Sequence, residues 1–523
     1  MDGLTIEYFG QACIMVRSGN VRVLSDPWFS GPSHLNGWIP FPPWSVEERA
    51  AWRARADEAT HVYVSHAHED HFDPAFLRSL APKQILVGEF RNQRFRAALD
   101  ALQPHHTVRY LRDRETVALG GALTATIHLE RPAFRTNSIL LLGCPDGDVL
   151  DANDCGLDSA TLRDIARRRR PAVFLYTLNF LANGFPFPYL RRRDPDLNAR
   201  IAAVREQVVS SFRIALGILR PALGVAFAGP ISFADRVNQH LDDHPEARDW
   251  RQTAAELSGD VPVIWPAPGG SIDLRGGRVV RTELGDWDAL ASSHPVRHEG
   301  RGPDPYMDGP QPDRVAVLDA AGRFASRRAA LAARLPGTMS TRLYLSAATS
   351  IEALEADLAD WHIAVDLAPP GAARWAETLD APYLQIASTP AILRAFLDGE
   401  ADLDSLLLSG RARFRRDPDT FDPLLHDVLR FGSDPGCADA LVEWMTDAHV
   451  RTCTETITVT VDGYERRIPK LCPHEGESFE DVPVERGRLV CPRHKWVFDL
   501  DSGQCLVGDR TVNLYALLPR EKI

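Results

Sequence analysis

Residues 62–73 read VYVSHAHEDHFD. A β-branched and aromatic run ends at Val64, and four ligand-type side chains, His66, His68, Asp70 and His71, follow within six positions in an HxHxDH spacing. A strand end followed by a tight loop aims alternating imidazoles at one ion and the next carboxylate and imidazole at a second. Solvation of a surface loop does not by itself call for such a density of ligand-type side chains.

Outward from this stretch, short apolar runs alternate with polar or helical segments: VRVLSD (21–26), THVYVSH (60–66), QILVG (84–88), ALTATIHL (122–129), SILLLG (138–143), AVFLYTL (172–178) and ALGVAFA (222–228). Their lengths and β-branched content predict strands of a layered α/β domain. The HxHxDH stretch, with SDPWF (25–29) and its Asp26, resembles the metallo-β-lactamase superfamily over roughly residues 1–290. The resemblance implies an αββα sandwich with metals at the strand ends. It also implies His128, closing ALTATIHL, as a further imidazole ligand and Asp154 in VLDANDCG as a bridging carboxylate. His128 as a satisfied strand-end histidine, and Asp151 in place of Asp154, are the alternatives. Where the superfamily carries a late histidine at a strand end, this chain has Ala228-Gly229-Pro230. His240, His244 and Asp235 are the nearby substitutes, with a solvated helix face as the competing role for both histidines.

The second concentrated signal is CPHEGESFEDVPVERGRLVCPRH, residues 472–494. Two Cys and two His in paired short loops suit tetrahedral zinc. The spacing, the proline after each cysteine and the KWVFDLDSG continuation instead resemble the Rieske domain. That resemblance implies a [2Fe-2S] cluster held by Cys472, His474, Cys491 and His494. The extra cysteine pair of the high-potential type is missing, which points to the ferredoxin or oxygenase type. Cys453 and Cys505 are expected to be buried structural thiols.

A length of 523 residues predicts about three domains. The boundaries fall at 1–292 for the metal-binding domain, 293–312 for a Pro/Gly-rich linker, 313–450 for an α+β domain and 451–523 for the small all-β domain. GEADLDSLLLSGRARFRRDP (399–418) makes the third segment resemble the sterol-carrier-like fold, read as scaffold, interface or a wall enclosing substrate. With 59 basic against 71 acidic residues the net charge is -12, which argues against nonspecific nucleic-acid binding. The N-terminal segment has no basic region leading into an apolar run, and the apolar stretch 214–227 is broken by Arg220 and Pro221. The expectation is a cytoplasmic protein without a membrane span.

Together the two metal motifs resemble the CMP-N-acetylneuraminate hydroxylase family and its bacterial relatives. The combination implies an oxygenase in which the Rieske cluster feeds a mono- or di-iron centre at His66, His68, Asp70, His71, His128 and Asp154. Asp70 and His71 would carry catalysis, O2 would be co-substrate, and a reductase or ferredoxin would donate electrons. The expected reaction is hydroxylation or N-oxygenation of a small polar, preferably anionic molecule, and a homo-oligomer is compatible with it. A dizinc hydrolase of an ester, lactone or phosphodiester with a redox-sensing Rieske domain is the alternative, and an electron-transfer protein with structural metals the third reading. For substrate, ten Arg face three Asp between Arg163 and Arg205. The run 167–170 suits a helix C-terminus. Arg191, Arg192 and Arg193, after an aromatic loop, are candidates to grip a carboxylate or phosphate.

Overall fold

The computed structural model describes residues 3–179, 187–244, 250–294, 303–419, 421–446, 455–461, 463–473, 477–480, 482–492, 496–507 and 512–515. Strand pairing begins with the N-terminal segment. Leu4–Gly10, Cys13–Ser18 and Val21–Ser25 form an antiparallel meander, and His61–Val64, Gln84–Gly88 and Thr107–Leu111 extend it in parallel. The hairpin Ser271–Arg275 and Arg278–Glu283 closes the other edge, giving eight strands. A second sheet has seven strands, in the order Val263–Ile264, Leu223–Phe227, Val173–Thr177, Val149–Asp151, Ser138–Gly143, Leu123–Leu129 and Thr116–Gly120.

Ile6, Tyr8, Val16 and Tyr63 of the first sheet meet Ala125, Ile127, Leu140 and Leu175 of the second in one core. The outer face of the first sheet is covered by the helices Val46–Ala56, Pro74–Ser79 and Gln93–Asp100 through Trp52, Phe76 and Phe95. That of the second is covered by Ser159–Arg168 and Leu197–Leu219 through Leu162, Val208 and Phe212. This is the αββα layering expected of residues 1–292. His61–Val64 is buried throughout because both faces are covered, which is why it reads as a continuous apolar run.

The middle sheet has five strands, in the order Ala372–Ala376, Trp361–Asp366, Arg342–Ala347, Tyr383–Ser388 and Arg413–Asp417. The helices Arg314–Ala332, Pro390–Asp398 and Pro423–Phe431 pack on it through Phe324, Phe396 and Val428. Part of the stretch read as linker belongs to this body: Tyr306 and Met307 pack on its core, and Asp304 accepts from Arg411 at 2.5 Å. Arg411 also forks onto Asp235 at 2.7 and 3.0 Å and donates to the Leu35 carbonyl at 2.8 Å, joining the middle body to the sandwich.

In the C-terminal segment a hairpin, Thr456–Val461 with Tyr464–Pro469, precedes a four-stranded sheet that includes Arg488–Val490, Val497–Asp499 and Cys505–Val507. Its small core, with Ile468, Phe479 and Phe498, takes in Ile214 from the sandwich helix Leu197–Leu219. Among the described residues, no helix is long and apolar enough to cross a membrane and no disulfide joins two cysteines.

Candidate metal centre

The HxHxDH loop leaves the end of His61–Val64 and closes into the helix Pro74–Ser79, so its geometry is set from both sides. Asp73 caps that helix at the Phe76 amide (2.8 Å) and accepts from the Phe29 and Ser30 amides (3.1 and 2.7 Å). The last residue of the motif thereby fixes the Asp26-Pro27-Trp28-Phe29 segment beside it.

Ligand atoms of His66, His68 and Asp154 converge within 4.8 Å of one another. His66 Nε2 lies 2.9 Å from His68 Nδ1 and 3.8 Å from Asp154 Oδ1. His71 Nε2 faces Asp154 Oδ2 at 3.4 Å and Asp70 Oδ2 at 3.5 Å. Five of the six expected ligands are therefore gathered at one strand end, with Asp154 between the two histidine sets. Its buried Oδ1 has no hydrogen-bond partner among the described residues, and the N/O donor set suits one or two divalent ions.

Electrostatics follow from this crowding of buried groups. Burial alone would raise the Asp154 carboxyl, but the His71 and His66 imidazoles hold it well below the usual range. Asp70 is likewise held low against burial by His71 and His34. Burial disfavours protonated His71, yet the Asp154, Asp70 and Asp26 carboxylates keep it well above its ordinary value. His66, with burial dominant and His71 beside it, is pushed down.

His128 is the exception. Leu123, Ala125 and Ile127 point into the core between the sheets, so strand alternation turns His128 to the outer face. There Asp113, Arg114, Asp164 and Arg168 act on it, and among the described residues neither ring nitrogen has a hydrogen-bond partner. The structure thus corrects the expectation of His128 as a ligand. Glu130, two residues on, is buried, and its charge acts on Tyr176 together with that of Asp154. Asp151 accepts from the Asn153 amide at 3.0 Å, and burial with the nearby Asp26 charge pushes it up to about 7.

The substitutes for the late histidine are engaged elsewhere. Asp235 holds Arg411, His240 Nδ1 lies 3.0 Å from the Val237 carbonyl, and His244 Nε2 lies 3.3 Å from Asn198 Oδ1. The arginine run is corrected as well: Arg191 and Arg193 donate to Asp357 of the middle body at 2.9 and 2.7 Å, and the Arg192 amide donates to Glu355. The Arg191 and Arg193 guanidiniums and the Arg192 backbone thus join two bodies of the chain.

Four further residues surround the motif, and three of them carry no local signature in the sequence. Gln11 Nε2 donates to Asp70 Oδ2 at 3.1 Å, and His34 Nε2 lies 3.0 Å from Asp70 Oδ1. Asp26 sits 2.9 Å from His71 Nδ1 and accepts from the Ser65 hydroxyl at 2.6 Å, orienting the ring from behind. Asp404 Oδ2, from the middle body, lies 3.7 Å from His68 Nε2. Of these, only Asp26 was singled out by sequence.

In the C-terminal segment Cys472 and Cys491 are buried, and their amides donate to the Glu477 and Trp496 carbonyls at 2.7 and 2.8 Å. Two buried thiols in paired loops fit the cysteine half of a Rieske site. His474 and His494, and also Cys453, lie outside the described residues. Glu477 Oε1 accepts from the Ser159 amide at 2.9 Å, at the start of the helix that follows the Asp154 loop.

Residues 5–143 match the Beta-lactamase superfamily domain and residues 443–516 match the Rieske [2Fe-2S] domain. The chain joins a metallo-β-lactamase domain to a C-terminal Rieske domain. It is similar to the cytidine monophosphate-N-acetylneuraminic acid hydroxylase of Asterias rubens, 35% identical over 89 residues, which is 16% of this chain and 13% of the relative. The hydroxylase of the same name from Danio rerio is 34% identical over 83 residues, again 16% and 13%. The similarity thus spans about an eighth of the length of these relatives. Among solved structures, CmlA, a diiron beta-hydroxylase from Streptomyces venezuelae, shares 14% identity with a TM-score of 0.34, covering 53% of this chain and 54% of that one. A metallo hydrolase from Ignicoccus hospitalis shares 16% with a TM-score of 0.35, covering 51% and 97%.

Proposed function

We propose that this chain is a Rieske-coupled, iron-dependent monooxygenase that hydroxylates or N-oxygenates a small polar substrate. The observation that carries the reading is the pairing of a metallo-β-lactamase domain with a Rieske domain in one chain, with Glu477 of the Rieske segment bonded to the helix that follows the Asp154 loop. Zinc has no redox chemistry, and a purely hydrolytic centre has no use for an electron-carrying domain. Bound iron would supply O2 activation, and a cluster on Cys472, His474, Cys491 and His494 would supply the electrons.

Within this reading His66, His68 and Asp154 would hold one metal ion, and Asp70 and His71 would be available to a second. Asp26 and Ser65 orient His71 from its Nδ1 side. Gln11 and His34 hold the Asp70 carboxylate, so its oxygens are fixed before any substrate arrives. Trp38, edge-on to His34 at 4.5 Å between ring centroids, shields that pair from water. An external reductase or ferredoxin completes the electron supply.

Metal and acid-labile sulfide counts on anaerobically purified protein test the proposal. About four irons and two sulfides per chain, with O2 uptake dependent on substrate, are expected. About two irons with two zincs, and ester, lactone or phosphodiester turnover without reductant, would replace it with a hydrolase.

A further inference from the structure

We infer that Asp404, contributed by the middle body of the chain, is a positioning residue for His68, so that the metal site is complete only when that body is docked. The inference rests on the reading of His68 as a metal ligand. His68 turns Nδ1 toward His66 Nε2 at 2.9 Å, which is the disposition of two donors aimed at one ion. Its other nitrogen, Nε2, therefore points away, and Asp404 Oδ2 stands 3.7 Å from it.

An imidazole that binds a metal through one nitrogen carries its proton on the other, and a carboxylate facing that proton fixes the tautomer and ring and raises donor basicity. Asp26 has this relation to His71 from within the sandwich. For His68, no other carboxylate stands within ion-pair reach among the described residues. The partner comes from residue 404, far along the chain.

Asp404 is held in place. Arg430 Nε donates to the same Oδ2 at 2.8 Å, and the Asp404 side chain is 17% exposed. It lies in the first turn of the helix Leu403–Leu408, which Asp402 caps through the Ser405 amide at 2.7 Å. The far end of that helix is anchored to the sandwich by Trp38 Nε1, which donates to the Leu408 carbonyl at 2.6 Å. Through Asp404 the GEADLDSLLLSG segment thus reaches the metal site.

Co2+ binding to the metal-free full-length chain, measured by chelator competition and by its ligand-field absorption, tests this with His68→Ala as reference. Asp404→Ala is expected to weaken Co2+ binding about 10- to 100-fold and to shift the absorption, at an unchanged thermal midpoint. Asp404→Asn, which keeps an oxygen facing Nε2–H but loses the charge, recovers part of the loss. Should Asp404→Ala fail to fold, Arg430→Gln, which frees the carboxylate without removing it, is expected to shift the absorption in the same direction. Wild-type affinity and absorption in the folded Asp404 and Arg430 variants, with His68→Ala defective, would overturn the positioning role and leave the ligand reading intact. Wild-type behaviour of His68→Ala would overturn both.

Discussion

Arg411 is where the middle body is fastened to the sandwich, and replacing it by alanine has a consequence that can be worked from the contacts. The residue is 3% exposed; it forks onto Asp235 at 2.7 and 3.0 Å, reaches Asp304 at 2.5 Å and caps the Leu35 carbonyl at 2.8 Å. Removing one partner of a buried ion pair costs about 3–5 kcal/mol, because the charges left behind remain desolvated. Asp235 and Asp304 keep 19% and 17% of their side chains exposed, so water relieves part of the penalty and the lower end, about 3 kcal/mol, applies. That is about a hundredfold in the docking equilibrium. Urea unfolding followed by tryptophan fluorescence is a suitable assay, since Trp38 bonds across the same seam. Arg411→Lys should recover little, because an ammonium cannot reproduce the planar fork. A loss below about 0.5 kcal/mol in Arg411→Ala, the range of ordinary surface changes, would refute the claim that this cluster holds the bodies together.

Three further outcomes are expected. Cys472→Ser should abolish multiple turnover while the N-terminal metals remain bound; sustained turnover with a physiological reductant would remove the electron-relay role. Gly37→Ala should destabilise the same seam by about 1–3 kcal/mol in urea unfolding, because a Cβ there would lie 1.9 Å from the Ser409 carbonyl oxygen; an unchanged midpoint would mean the seam tolerates a methyl group. His106 is buried, with Nδ1 accepting from the Lys83 amide at 3.1 Å and Nε2 2.9 Å from the Leu77 carbonyl, and burial lowers it below its ordinary 6.5. The folded state therefore binds fewer protons than the unfolded one below pH 6.5, so this stabilisation is complete above 6.5 and is lost as pH falls through the folded value. Stability of His106→Asn should fall less steeply than that of the wild type over that window, and parallel curves would exclude the effect.

The strands and the ligand loop were legible because their signals are local. A β-branched run buried on both faces looks the same in sequence and in the sheet, and four ligands in six positions need no distant partner to be recognised. His128 was misplaced although its strand alternates plainly: Leu123, Ala125 and Ile127 mark the core face, and His128 shares the opposite parity with Thr124 and Thr126. Arg191 and Arg193 looked available because Asp357, their partner, lies in another body of the chain. Asp404 was hidden for the same reason: in GEADLDSLLLSG it reads as an ordinary acidic residue in the first turn of a helix, favourable there for the dipole alone.

Backbone conformation marks the site in a way that no side-chain pattern does. Gln11, Asp26, His34 and Asn153 all have positive φ, at 49°, 38°, 49° and 40°, and each adjoins the candidate ligands. Left-handed backbone at such residues costs about 1–3 kcal/mol each and persists only where the surroundings over-determine it. Here they do: Asp26 is fixed by Ser65 and His71, His34 by Asp70 and Glu69, and Asn153 accepts from the Asp154 amide at 2.8 Å. Leu35 and Asn36 continue the left-handed run after His34, and Arg411 holds the Leu35 carbonyl. The same guanidinium that fastens the middle body thus helps hold the loop that places His34 on Asp70. Docking and ligand geometry are coupled through that loop as well as through Asp404, so loosening the seam should weaken metal binding before it unfolds either body.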